Sequence, residues 1–175
     1  LPETVELFGL GFCFRGLQNG RIAIPIHNLS GELVAYVGRA VRPEDEKAEK
    51  YKLPAGFKKL LEVYNLHRQP TGLDKLIIVE SPISVWHLYQ AGLAKVVALQ
   101  GSVLGPRQAT LIGGRLSASA KILIGLDADG AGQKGGEACL ARLGQRFWVK
   151  RLDLTAWGGK PHRIAAADLE KTFVF

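Results

Sequence analysis

Cysteine is scarce in this sequence: two thiols, Cys13 and Cys139, in 175 residues. They lie far apart in the chain, which excludes a disulfide framework and fits a reducing compartment. Both read as small buried hydrophobes. Four histidines, His27, His67, His87 and His162, are scattered, so no Cys/His group has the spacing of a zinc site. No apolar run is long enough to span a bilayer. Leu1-Pro2-Glu3 offers no basic flank before an apolar stretch, so it does not read as a signal peptide. An initiator methionine is lacking, and the chain reads as a piece of a longer protein. No glycine-rich turn follows a first strand, which argues against a dinucleotide-binding Rossmann domain. Internal repeats and low-complexity tracts are absent as well.

What is present is an ordinary globular composition with a basic surplus. Hydrophobic residues make up 47% and charged residues 22%, enough for one core, or for a domain with an appended lobe. The net charge is +7 and the isoelectric point about 9.6. Such a surplus suits a polyanionic partner such as nucleic acid, though solubility alone also accounts for it.

Along the chain, Ile22, Ile24 and Ile26 alternate within Arg21 to His27, and Leu33 to Val41 also reads as a strand. The turn cluster Asn28-Leu29-Ser30-Gly31 joins them, which predicts a β-hairpin. Pro25 predicts an edge position or a bulge, because proline cannot donate to a ladder. Pro43 to Lys50 is charged and aperiodic and reads as a surface loop. Tyr51 to Gly56 reads as irregular, and Phe57 to Leu66 as a short helix.

From Lys75 the texture changes. Short apolar runs, Leu76 to Val79, Val96 to Leu99 and Ile122 to Leu126, have the mark of strands buried on both faces. Phe147 to Leu152 reads as a last strand. Between them lie helical stretches: one carrying Val85, Leu88 and Tyr89 and ending at Gly92, one opening at Gly105-Pro106, and one from Ala131 to Leu143 weakened by Gly135 and Gly136. Ile164 to Lys171 reads as a final helix. Strands alternating with helices predict an α/β fold with a mostly parallel sheet.

Three carboxylates stand at telling places. Glu80 follows the first buried run, and Asp127 and Asp129 follow the third. In parallel α/β sheets, ligands bind outside the carboxyl ends of the strands. Acidic groups converging there repel one another unless a cation neutralises them or some take up protons. Magnesium prefers oxygen ligands and needs few protein carboxylates, keeping other positions for water and phosphate. The plainer account is structural: Asp127 and Asp129 as an Asx turn or helix cap, and Glu80 at a helix start. Glu80 at the matching end of a second strand favours a site.

The residues around these acids carry a resemblance. Leu76-Ile77-Ile78-Val79-Glu80-Ser81, with Gln90-Ala91-Gly92 after it, resembles the first TOPRIM motif, and Leu126-Asp127-Ala128-Asp129-Gly130-Ala131-Gly132 the second. Gly20 to Ile26, Gly31 to Val37 and Gly38-Arg39 resemble the hairpin of the DnaG-type primase catalytic core. Lys50-Tyr51, Phe57-Lys58-Lys59 and Glu62 to Leu66 are similar to its next stretch.

The resemblance, covering about Phe8 to Leu169, implies a partial basic lobe at residues 1–70 and a TOPRIM domain at 71–175. It implies catalytic, metal-holding Glu80, Asp127 and Asp129, with Mg²⁺ or Mn²⁺ as cofactor and Asp168, a better match than Asp153, as a further ligand. Arg39, Lys50 and Lys59 would contact nucleic acid or nucleotide. The implied reaction is metal-dependent nucleotidyl transfer making short RNA primers on single-stranded DNA from nucleoside triphosphates. A replicative helicase would be met through regions outside this chain, with no membrane, in the bacterial cytoplasm at the nucleoid. The family's usual glycine is Ser81 here, and a usual acid is Ser84, which weakens one metal position. The short link from Leu66 to Lys75 is more like that of primase-like proteins of mobile elements. Two rivals remain. One is a non-catalytic TOPRIM module that binds nucleic acid. The other is a haloacid-dehalogenase-like phosphatase, suggested by Asp127-Ala128-Asp129-Gly130 but left with too little chain after Asp129.

Overall fold

The computed structural model describes residues 1–175. The chain divides into two compact units, Leu1–Lys58 and Lys59–Phe175. The boundary expected after residue 70 therefore falls inside the second unit. No helix is long and apolar enough to cross a membrane.

The first unit is an antiparallel sheet of β1 (Gly11–Cys13), β2 (Arg21–His27), β3 (Leu33–Ala40) and β4 (Tyr51–Lys52), in that spatial order. The predicted hairpin is the β2–β3 pair, and Ile24 and Ile26 are fully buried beneath it. Pro25 explains itself in the pairing. β1 pairs with β2 only from Arg21 to Ala23, so beyond Ala23 no strand pairs along that flank and no ladder donor is missed. The β2–β3 register also shifts between Ile26 and His27.

Two elements here were not expected. Pro2–Phe8 is a helix, α1, which buries Phe8. Pro43–Glu49 is also a helix, α2, where a loop was predicted. It buries no residue, so apolar periodicity could not reveal it. Proline opens its first turn, and Glu44, Asp45 and Glu46 stand where the positive end of the helix dipole favours acids. The expected helix over Phe57 to Leu66 is instead two 3-10 turns, Lys59–Leu61 and Leu66–Arg68. Between them, Tyr64 exchanges backbone hydrogen bonds with Ala98.

The second unit holds the predicted parallel sheet. Its strands are β5 (Leu73–Val79), β6 (Val96–Ala98), β7 (Leu116–Gly125) and β8 (Trp148–Arg151), in the order β6-β5-β7-β8. Every neighbouring pair is parallel. The apolar runs of β5, β6 and β7 are buried on both faces, with Leu76, Ile78, Ile122 and Leu123 wholly inaccessible. Flanking the sheet are α3 (Pro82–Gln90), α4 (Pro106–Gly113), α5 (Gly130–Leu143) and α6 (Ala166–Thr172). Gly92 follows α3 in the left-handed region, φ 85°, and its N–H returns to the carbonyl of Tyr89, as a helix terminator should.

Gln108 on α4 ties the 3-10 segment to the sheet. Its side chain is fully buried. The Nε2 group donates to the carbonyls of Glu62 (2.8 Å) and Leu99 (3.0 Å), and Oε1 accepts from the N–H of Gly105 (2.9 Å). Replacing it with an apolar side chain strands buried backbone groups, each costing about 1–3 kcal/mol. Gln108→Leu is expected to lower unfolding free energy by at least about 2 kcal/mol in urea titrations. A loss under about 0.5 kcal/mol would show that this network is not structural.

Candidate active site

Strand order and register bring the first two acids together. β5 and β7 are neighbours, and Val79 pairs with Gly125. Glu80 is the next residue of one strand, and Asp127 the second residue beyond Gly125 on the other. Both chains leave the sheet at the same edge. The N–H of Gly101, just past β6, donates to the carbonyl of Glu80 (3.1 Å) and so fixes the turn out of β5. Gln100, beside it, holds a left-handed backbone, φ 62°, which a residue with a side chain adopts only at some cost.

Asp129 does what the structural account asked of it: it caps α5, with Oδ1 accepting from the N–H of Gly132 (2.9 Å). That leaves its charge at the same edge. Gly132 is required there, because a Cβ would collide with the carbonyl of Asp127, and at Gly135 with that of Ser102. Gly135, which weakens the helix in the sequence, is thus one of the two glycines that let α5 lie against the strand ends.

Electrostatics distinguish the three acids. The Glu80 carboxyl is raised above the ordinary carboxylate range, first by burial and then by the charges of Asp127 and Asp129. The Lys160 ammonium and a hydrogen bond from the Asp127 backbone pull the other way but do not cancel it. Lys160 Nζ lies 2.7 Å from Asp127 Oδ2, with only 27% of the lysine side chain and 11% of the aspartate side chain exposed. One oxygen of each remaining pair is stranded: Glu80 Oε2 and Asp127 Oδ1 are buried without a hydrogen-bond partner. A buried carboxylate oxygen without a donor is costly, and a hard cation is the kind of group that such an oxygen accepts. No group of three or more His, Cys, Asp or Glu side chains is placed to hold a metal ion between them, so at most two of these acids would do so. The arrangement fits an ion that keeps water or phosphate in its other positions.

The remaining expected residues are placed differently. Asp168 lies on α6, about half exposed, and pairs with Lys171 on the same helix at 3.8 Å. Asp153 accepts from the N–H (2.9 Å) and hydroxyl (2.8 Å) of Thr155. Lys59 reaches the strand-end loop, its Nζ 2.9 Å from where a Cβ of Gly101 would stand. In the first unit, Arg39 and Lys50 converge on Glu46 at 3.0 and 3.4 Å, and Arg39 also lies over the Tyr51 ring. Ser84 is fully buried, its hydroxyl 3.2 Å from both Ser81 Oγ and His162 Nδ1. The sequence gives Lys160 no special standing, and His162 stands there only as one of four scattered histidines. A lone lysine and a lone histidine beyond the last strand carry no periodic or spacing signal.

Residues 74–152 match the model of the Toprim domain family. Over 134 residues the chain is 38% identical to a DNA primase of Mycoplasma pneumoniae, covering 75% of this chain and 21% of that one. Across the curated primases it matches, the chain spans between 18% and 27% of their length. Among solved structures, the E. coli primase catalytic core superposes with a TM-score of 0.73 at 18% identity, covering 99% of this chain and 67% of that one. A DNA primase domain from Pseudomonas aeruginosa superposes at 0.66 with 26% identity, over 86% of this chain and 48% of the other.

The raised Glu80 has a consequence for stability. Above its folded-state value the ionised carboxylate opposes folding; below the ordinary value it is neutral in both states and has no effect. Stability contributed by this group therefore falls as pH rises through the window between the two. Glu80→Gln removes the charge and keeps an acceptor. It is expected to raise the melting temperature of the metal-free protein at pH 7 by on the order of 2–4 °C. The gain should shrink as pH is lowered through that window. A melting temperature equal to or below that of the parent at pH 7 would contradict the electrostatic account.

Proposed function

We propose, for a chain that belongs with the bacterial DnaG-type primases and carries their Toprim domain, that its acidic edge supports metal-dependent nucleotidyl transfer making short RNA primers on single-stranded DNA. The observation that carries this reading is the pair of stranded oxygens, Glu80 Oε2 and Asp127 Oδ1, at the end of two paired parallel strands. A Mg²⁺ or Mn²⁺ ion held there would orient a nucleoside triphosphate and neutralise charge on the departing pyrophosphate.

The chain's own residues supply the rest. Glu80 and Asp127 present fixed oxygen ligands, and the hydrogen bond that Asp129 accepts from Gly132 keeps the second strand end from drifting. Lys59, at the strand-end loop, offers a charge to a triphosphate or backbone phosphate. Arg39 and Lys50 form a second basic cluster, screened in the free protein by Glu46. A DnaG primase catalytic domain of similar fold has been solved bound to single-stranded DNA, which supports that ligand class for this chain. Asp168 would join the ligand shell only by leaving Lys171. Contact with a replicative helicase would use regions beyond these residues.

A second reading, a Toprim module that grips nucleic acid without chemistry, is favoured by one feature. Lys160 already satisfies one oxygen of Asp127, which reduces the demand for a metal.

Primer synthesis on single-stranded DNA by the protein containing this chain separates the two. Asp127→Asn is expected to cut the rate at least about 100-fold, the scale of losing an electrostatic catalytic group, with DNA affinity little changed. Equal rates in parent and variant would leave only the binding reading. Lys59→Ala should also lower the slope of log affinity against log salt by about 0.7, the share of one phosphate contact on a single strand. An unchanged slope would remove Lys59 from the interface.

A further inference from the structure

The segment from Gly158 to Ile164 is built to deliver a positive charge to the acids. On one side, Gly159 accepts a hydrogen bond at its carbonyl from the N–H of Ala128 (2.8 Å), the residue between Asp127 and Asp129. Gly159 itself sits at φ 75°, and a Cβ there would press on Ala128 at 3.2 Å, so the two segments lie closer than most residues would allow. On the other side, His162 is joined to the buried hydroxyl of Ser84 on α3, and His87 of the same helix meets the carbonyl of Ile164 at 2.7 Å. Pro161 and Ile164 are buried. Lys160 therefore hangs between two anchors, and its ammonium meets Asp127 Oδ2 at 2.7 Å. A surface lysine that happened to find an aspartate would have none of these supports.

The charges then count simply. Three carboxylates and one ammonium leave two negative charges, the charge of one divalent ion. The two stranded oxygens, Glu80 Oε2 and Asp127 Oδ1, are the sites left for it.

We infer that Lys160 is a tethered cation standing in one cation position of the acidic cluster, so that the site takes a single divalent ion and Lys160 competes with that ion for Asp127. This rests on the proposal that the cluster holds a divalent metal. A like charge this near opposes metal binding, and the opposition is strong where burial lowers the effective dielectric. Lys160 thus sets the metal affinity of the free protein. When a triphosphate enters with its metal, the ammonium has phosphate oxygens to turn to, which would ease its competition.

The test is a manganese titration of the 175-residue chain by calorimetry and by electron paramagnetic resonance of free Mn²⁺, without nucleotide. The parent should bind one ion weakly. Lys160→Ala and Lys160→Gln should each bind at least about tenfold more tightly or take up a second ion. Lys160→Arg, which keeps the charge, should resemble the parent. Asp127→Asn should lose the site in every background. Circular dichroism confirms that each protein is folded, and the glutamine variant decides the matter if alanine unfolds the loop. Parent-like binding in a folded Lys160→Gln protein, or binding by Lys160→Arg as tight as by Lys160→Gln, would overturn the tethered-cation role while leaving the metal site intact. No binding by parent, alanine or glutamine protein would overturn the metal site itself.

Discussion

Val79 and Gly125 stand opposite each other on two parallel strands, and that pairing carries Glu80 and Asp127 out of the sheet side by side. Had β5 and β7 been separated by another strand, the carboxylates would lie about 5 Å further apart, the spacing between neighbouring strands. A register slip of two residues would carry one acid back into the apolar interior. The sheet is rigid because the apolar runs of its core strands are buried, so the acids are held against their mutual repulsion. Burial first, and then that enforced proximity, raise the Glu80 carboxyl above its ordinary range.

Everything else at the edge answers to the same repulsion. α5 brings its N-terminus, the positive end of its dipole, to Asp129, and glycine at position 132 is what allows the approach. Lys160 brings an ammonium to Asp127 from beyond the last strand. Neither supplies a donor to Glu80 Oε2 or Asp127 Oδ1. A site that was merely structural would be expected to close these bonds, as most buried polar groups do. Polar atoms left open in this way are common where a ligand completes the set.

The parallel sheet was legible because its strands are short apolar runs alternating with helical stretches, the pattern of strands covered on both faces. The acids were legible because each follows such a run directly. α2 was not, since a helix that buries nothing has no apolar stripe; only Pro43 and the three acids after it mark its start. The 3-10 turns around Tyr64 follow from tertiary bonds to Ala98 and Gln108, which local sequence does not announce. Asp168 matched a terminal motif in order along the chain, yet it lies on α6 against Lys171. Lys160 was invisible for the opposite reason. Its importance comes from where two anchors hold it, and a single lysine in a Gly-Gly-Lys-Pro turn shows none of that. Gly135 reads as helix-weakening in the sequence; its reason, and that of Gly132, is close backbone approach, which exists only in three dimensions.

Glu80 and Asp127 at the carboxyl edge of β5 and β7 are proposed to form a cation site. Crystals soaked in Mn²⁺ and measured for anomalous scattering address it directly. One peak is expected about 2.1 Å from Glu80 Oε2 and Asp127 Oδ1, the bond length of a small divalent ion to carboxylate oxygen. A map with no peak at that edge under saturating Mn²⁺, or with manganese bound only elsewhere on the chain, would contradict it.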